Sequence, residues 1–200
     1  GDSPDHGFVR GRVFAHTGLG IRFEVPDGFR LLNSDQAVIG LGPDGSQIVF
    51  SEAPGQGAYS GSDYITNVWA KGAPLGELRT LTIDGVPAAT AVTRLSGQNG
   101  PVHARLVAIA GNAGRYYRFL LTAPLEQAGR LDGAFLSSVQ GFRRLTATEK
   151  AGFKPYRIKI VQVKPGQKVA DFVATLPLKD YAEERFRVLN NIPPGTEPRP

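Results

Sequence analysis

Two stretches decide the fold class: TLTIDGVPAATAVTRL at residues 80–95 and RYYRFLLTAP at residues 115–124. In the first, Asp84-Gly85 separates two runs rich in β-branched and alternating apolar residues, which is typical of a hairpin. A third run, residues 102–110, is joined to the second stretch by a four-residue glycine-containing turn. All these connections are far too short for a parallel crossover. The sequence therefore predicts an antiparallel meander of about four strands.

Elements on both sides of the meander complete a domain over residues 10–146. Upstream, a hairpin is predicted around Gly42-Pro43-Asp44-Gly45, followed by a short helix, Asp63–Lys71, that Ser62 caps. Downstream, the spacing of apolar residues from Leu131 to Phe142 predicts an amphipathic helix. The prediction is an α+β fold, with one antiparallel sheet and helices packed on it.

The remaining residues predict a lead-in, a linker and a second module. Residues 1–9 are mostly polar and residues 147–155 are interpreted as a linker. In the module, residues 156–200, Tyr156–Val163 is a predicted β-branched strand. Two short helices follow the Pro165-Gly166 turn. This gives a strand–helix–helix appendage.

Composition limits the classes of function. The chain has 200 residues and no cysteine, which excludes disulfides, cysteine-ligated zinc and a cysteine nucleophile. No apolar stretch approaches the roughly 18 residues of a membrane-spanning helix. The opening Gly-Asp-Ser-Pro, without an initiator Met, is interpreted as the start of a domain fragment left after tag cleavage.

The net charge of +5 is concentrated towards the C-terminus. Residues 1–146 hold 13 Lys and Arg against 12 Asp and Glu, whereas residues 147–200 hold 10 against 6. No run of adjacent cations exceeds two, so a solvated surface is expected. Arg115–Phe119 mixes basic and aromatic residues, but half-buried strand positions explain it better than a nucleic-acid platform.

No catalytic, metal-binding or cofactor-binding set is predicted. His6, His16 and His103 are isolated and fit no metal-ligand spacing, and no G-x-S-x-G motif occurs. A G-x-G-x-x-G match at residues 40–45 precedes a predicted strand, where a dinucleotide site requires a helix. The chain is therefore expected not to be an enzyme.

Several segments resemble the PsbP-like α/β sandwich in their order along residues 10–145. These segments are GIRFEVPDGFRL, VWAKG, the meander itself and SVQGFRRL. The tail resembles a LysM module through IVQVKPGQKVADFVATLP and FRVLNNIPPG. That resemblance implies candidate ligand-binding positions at Pro165, Gly166, Gln167, Lys168, Asn190, Asn191 and Ile192, for which turn chemistry is the alternative explanation.

Together, the two modules are similar to the C-terminal, non-catalytic region of periplasmic HExxH zinc metalloproteases with helical repeats. HGFVRGRVFAHTGLGIRFEVPDGFRL carries this resemblance at the start of the chain. It implies an accessory region in the bacterial cell envelope that positions a protease on peptidoglycan or on a protein partner. The alternative is a free-standing PsbP-like binding or assembly protein that uses the loop Ala53–Gly61. Neither reading implies a nucleic-acid partner.

Overall fold

The computed structural model describes residues 2–178 and 180–200, which divide into two compact units between Pro155 and Tyr156. The first unit is built mainly from antiparallel strands: β1 Phe8–Arg10, β2 Val13–His16, β3 Ile21–Glu24, β4 Arg30–Asn33, β5 Val38–Leu41, β6 Gln47–Pro54, β7 Gly76–Ile83, β8 Val86–Gly97, β9 Gly100–Ala110, β10 Arg115–Pro124 and β11 Arg143–Arg144. Its helices are α1 Gly61–Tyr64, α2 Ala128–Gln140 and α3 Ala147–Gly152. A π-helical turn, Ile65–Trp69, continues α1.

The strands form two sheets. The larger has the order β4-β5-β6-β10-β9-β8-β7, and all its pairings are antiparallel. The predicted meander is its β7–β10 half, so the α+β class with an antiparallel sheet and helices is confirmed. The prediction of a single sheet was wrong, because β1, β2, β3 and β11 form a second, four-stranded sheet. The second sheet buries Phe23, which alternates with the polar Arg22 and Glu24, together with Phe14 of the neighbouring strand.

The main core lies between the seven-stranded sheet on one side and the smaller sheet with α2 on the other. Phe23 contacts Phe50 and Phe119 with ring centroids 4.8 and 4.9 Å apart, and Phe135 of α2 packs on Phe119 at 6.5 Å. Fully burying one such side chain contributes roughly 1.5–3 kcal/mol. This aromatic cluster therefore supplies much of the unit's stability.

A smaller cluster covers the opposite face of the seven-stranded sheet. Tyr64 stacks on Tyr116 at 4.4 Å, and the guanidinium of Arg118 lies over the ring of Trp69 at 5.3 Å. The helix that supplies Tyr64 is capped by Ser60, whose Oγ accepts from the Asp63 N–H at 3.0 Å. The predicted cap, Ser62, instead lies inside the first turn. The helix begins two residues earlier than its apolar spacing indicated.

The predicted lead-in is wrong at its C-terminal end and the predicted linker at its N-terminal end, where each contains regular structure. Gly1 lies outside the described residues, whereas Phe8 and Val9 of the predicted lead-in belong to β1. The predicted linker begins with α3, because Thr146 and Glu149 form a reciprocal capping box. Arg143 also binds the Glu149 carboxylate through two hydrogen bonds of 2.8 Å.

The second unit contains two short helices, α4 Val169–Val173 and α5 Ala182–Leu189, both near their predicted positions. They meet through Phe172 and Phe186, whose rings stack at 5.5 Å and 11°. The predicted strand Tyr156–Val163 is not formed. A strand exists only when a neighbour satisfies its backbone groups, and no described segment of this unit offers such an edge. Within residues 2–178 and 180–200, no helix has both the length and the apolar character to cross a bilayer.

Candidate binding surfaces

The first group of predicted ligand positions forms a turn and a helix start. Gly166 has a φ of 84°, a left-handed conformation that glycine adopts without strain. The Gln167 side chain accepts from the Lys164 N–H at 2.8 Å. The Lys168 N–H donates to the Asp171 carboxylate at 2.8 Å, which caps α4. Thus Gln167 and the Lys168 backbone are occupied locally, while the Lys168 side chain and the Pro165 ring remain exposed.

The second group, Asn190, Asn191 and Ile192, ends α5. Asn190 Nδ2 donates to the Phe186 carbonyl at 2.8 Å, and Asn191 has a φ of 54°. The N–H groups of Asn191 and Ile192 donate to the carbonyls of Val188 and Arg187, at 3.3 and 2.8 Å. This pattern is a Schellman motif, for which asparagine is the usual substitute for glycine.

A groove of about 660 Å³ adjoins this helix end. Asn191 and Ile192 line it, but the other five predicted positions do not. Its remaining walls are Val188, Arg187 and two glutamates of α5, and the Pro193–Gly195 turn. Arg187 is committed to the fold, since it donates to Glu183 and to the carbonyls of Pro193 and Thr196. Val188 is 83% exposed, so the groove offers an apolar edge next to carboxylates.

Exposed apolar side chains are concentrated in the second unit. Ile158 and Ile160 are 78% and 94% exposed, and Tyr181 and Leu189 are 71% and 65% exposed. Among the described hydrophobic residues of this unit, Val169 is the buried one. Exposed apolar side chains mark interaction sites where they adjoin one another on the surface. The second unit therefore presents the stronger candidate binding surface of the chain.

The first unit contains a buried charge network that the sequence did not reveal. Arg105 of β9 is 3% exposed, and it donates to Asp132 of α2 and to Glu77 of β7, both at 2.6 Å. Arg105 also donates to Thr90 at 3.1 Å, and Asp132 is within 3.0 Å of His103. A signal was present, because Arg105 is the one charged residue in the apolar run ARLVAIA.

Electrostatics explain why this network is stable. Burial opposes ionisation of Asp132, but the hydrogen bonds from Arg105 and His103 outweigh it and hold the pKa of the Asp132 carboxyl below its ordinary value. Burial likewise opposes the charge on Arg105, but Asp132 and Glu77 outweigh it and raise the Arg105 pKa. All the groups are paired within the fold, so we assign the network a structural role.

A polar cleft of about 250 Å³ lies at the end of the two sheets. His6, His16, Asp35 and Glu52 line it above an apolar floor. His16 supports the fold, since its Nδ1 accepts from the Leu19 N–H at 3.0 Å and its Nε2 lies 3.1 Å from the Asp5 carbonyl. In the part of the chain that the structure describes, no group of three or more His, Asp or Glu side chains could hold a metal ion.

Similarity searches find structures but no sequence family. No family model matches the chain, and no curated protein matches it. The cyanobacterial PsbP protein of Synechocystis sp. PCC 6803 is similar over 72% of this chain and 98% of its own, with 18% identity and a TM-score of 0.47.

Two further structures show similarity at the same level. LpqN of Mycobacterium tuberculosis, a protein involved in cell envelope biogenesis, is similar over 63% of this chain and 83% of its own, with 14% identity and a TM-score of 0.47. A Bacteroides thetaiotaomicron protein covers 94% of this chain and 73% of its own, with 12% identity and a TM-score of 0.48. Similarities this distant say nothing about function.

Proposed function

We propose that this chain is a non-catalytic accessory region of a bacterial cell-envelope zinc metalloprotease, which it positions on a protein partner or on peptidoglycan. The observation that carries the binding role is the surface of the second unit. There, Ile158, Ile160, Val188 and Leu189 are exposed in one small module. Removing apolar surface from water is favourable by about 25 cal/mol per Å², so covering these side chains would stabilise a complex with a partner.

The resemblance of both modules, in this order, to periplasmic metalloproteases is the support for the parent protein. Its catalytic HExxH motif would belong to a separate domain, because this sequence contains none. The same resemblance supports a location in the periplasm or cell envelope. In this proposal the seven LysM-like positions, from Pro165 to Ile192, are the candidate contacts to peptidoglycan.

The parent is tested by an immunoblot of fractionated source cells with an antibody to this chain. We expect a periplasmic band well above 21.4 kDa, the mass of the 200 residues. A band near that mass, or a cytoplasmic one, would overturn the metalloprotease proposal. Co-sedimentation with purified sacculi separates the two anchors, since a chain that stays in the supernatant excludes peptidoglycan.

One observation favours a second candidate, a free-standing binding or assembly protein. Tyr59, in the predicted contact loop Ala53–Gly61, is 88% exposed, which is unusual for a large aromatic side chain. Its backbone is held by the Asp63 carboxylate, which accepts from the Tyr59 N–H at 3.1 Å. An affinity capture with Tyr59→Ala tests this role, and unchanged recovery of the captured partner would contradict it.

A further inference from the structure

The segment from Arg157 to Val163 has the sequence of a strand but lacks a neighbour. Its side chains alternate between cationic and β-branched over RIKI, a composition that favours extended backbone. Across residues 2–178 and 180–200, no backbone hydrogen bond joins residues 157–163 to another segment. Residues 157–162 are exposed, so their backbone amide donors and acceptors are open to an incoming chain.

Both ends of this segment are anchored to its own unit. At the start, the Tyr156 hydroxyl donates to the Pro177 carbonyl at 3.2 Å. At the end, the Lys164 N–H donates to Gln167 in the Pro165-Gly166 turn. A segment held at both ends loses less conformational entropy on binding than a free tail would.

The pattern of side chains defines what the segment can bind. On an extended chain, Ile158 and Ile160 point to one face while Arg157 and Lys159 point to the other. Residues 150–170 contain six cations and no acid: Lys150, Lys154, Arg157, Lys159, Lys164 and Lys168. A matching strand would carry acidic side chains on one face and apolar ones on the other.

Charge also disfavours a second copy of this chain as the occupant. An antiparallel pair of copies centred on Ile158 would place Arg157 opposite Lys159, and one centred on Lys159 would oppose two lysines. Like charges directly opposite each other destabilise a strand pair. A simple polyanion would satisfy the cations but would leave the backbone groups and both isoleucines uncovered.

We infer that residues 157–163 bind an extended acidic segment of a partner protein by β-strand addition, with its carboxylates on Arg157 and Lys159 and its apolar side chains on Ile158 and Ile160. Main-chain hydrogen bonds would give affinity and the alternating side chains specificity. This inference rests on the proposed binding role and specifies the partner's chemistry. It does not depend on which parent protein carries the chain.

The test uses the full chain and a fluorescein-labelled peptide of about eight residues in which glutamate and valine alternate, the length of an ordinary strand. Binding is followed by fluorescence anisotropy. We expect the glutamate peptide to bind, with affinity that falls as salt screens the charges. The matching lysine–valine peptide should not bind. Failure of the glutamate peptide to bind, or equal binding of both peptides, would overturn the inference.

Two variants at one position separate backbone pairing from side-chain contact. Ile160→Pro removes an N–H and should weaken binding by about tenfold, whereas Ile160→Thr keeps both the N–H and the β-branch and should bind more tightly than the proline variant. The segment is exposed, so circular dichroism should show both variants folded. Equal affinities of the two variants would overturn strand addition.

A charge variant and its control complete the design. Lys159→Glu should weaken the affinity of the chain for the glutamate peptide. Lys71→Glu makes the same charge change at an exposed site of the first unit and should leave that affinity unchanged. Equal effects would mean a non-specific attraction and would overturn the inference. Concentration-dependent self-association in sedimentation that Ile160→Pro abolishes would also overturn it, since the occupant would be a second copy.

The immunoblot and the peptide measurement distinguish failure of the strand-addition inference from failure of the metalloprotease proposal. A large periplasmic band with no peptide binding would remove the strand-addition inference alone. Peptide binding with a band near 21.4 kDa would remove the metalloprotease proposal alone.

Discussion

Each of the two units of this chain has a different kind of interior. In the first, Phe14, Phe23, Phe50 and Phe119 form one aromatic cluster between two sheets, and each is at most 4% exposed. In the second, the two helices share one half-buried ring pair, Phe172 with Phe186. A module of 45 residues has little interior to fill, because small domains bury a smaller fraction of their surface. The contrast teaches that the second unit's apolar side chains are available for binding because they are not needed inside.

The largest expected effect tests the aromatic core. Phe119→Ala should lower the free energy of unfolding of the first unit by about 4 kcal/mol, because it removes a fully packed ring and leaves a cavity. Urea unfolding followed by the fluorescence of Trp69, the single tryptophan, measures this unit. The exposed Leu78→Ala in β7 is the control, and a comparable loss there would contradict the assignment of the core.

The next effect concerns the buried charge network. Asp132→Ala should cost the first unit about 3 kcal/mol, since it leaves the buried Arg105 with one carboxylate where it had two. Asp35→Ala removes an acid whose side chain is 83% exposed and should cost less than about 0.5 kcal/mol. The same urea measurement applies. Equal costs for the two variants would mean that the network contributes nothing beyond net charge.

A smaller effect is expected in the second unit. Phe172→Ala should destabilise the helix pair by about 2 kcal/mol, because it removes both the burial of a half-buried ring and the stacking contribution of the pair. Faster amide hydrogen exchange in α5 would report the loss, and Tyr181→Ala, at an exposed ring, is the control. A cost as large as that of Phe119→Ala would break the contrast between the units.

The smallest effect is a pH dependence at α3. Hydrogen bonds from Arg143, together with the Thr146 backbone, lower the pKa of the Glu149 carboxyl from its ordinary 4.5 to about 2. A lowered pKa in the folded state contributes stability above pH 4.5 that is lost as pH falls towards 2. Glu149→Gln should therefore be less stable than the unaltered chain near neutral pH, and acid unfolding curves should converge near pH 2. A stability difference that is the same at every pH would contradict this account.

Long alternating runs and turn residues carried most of what the sequence could predict. The β7–β10 meander follows from Asp84-Gly85 and from runs of eight or more residues. By contrast, β11 contains only Arg143 and Arg144, too few residues for any periodicity, so the second sheet was not predicted. The strand predicted at Tyr156–Val163 does not form for another reason: local preference for extended backbone cannot supply a pairing partner.

The candidate sites also differ in whether local sequence or tertiary packing determines them. The Pro165–Lys168 and Asn190–Ile192 groups were predicted from the resemblance to a LysM module, and the structure shows their backbones in a turn, a helix start and a Schellman motif. Their role in ligand binding stays a prediction. The charge network joins Arg105 to Asp132, 27 positions away, and pairing at that distance depends on how α2 packs on β9, which no local pattern encodes.

The irregularity of β7 bears on how these molecules behave at high concentration. The strand is an edge of the seven-stranded sheet, and its register shifts between Gly76 and Arg79, where Glu77 has a φ of 50°. Glu77 accepts from Arg105 at 2.6 Å at this irregularity, and the register shift interrupts the regular hydrogen-bonding row of the strand. Interrupted edges are poor templates for another chain. The first unit therefore resists stacking into open-ended polymers at the very border where its sheet would otherwise grow.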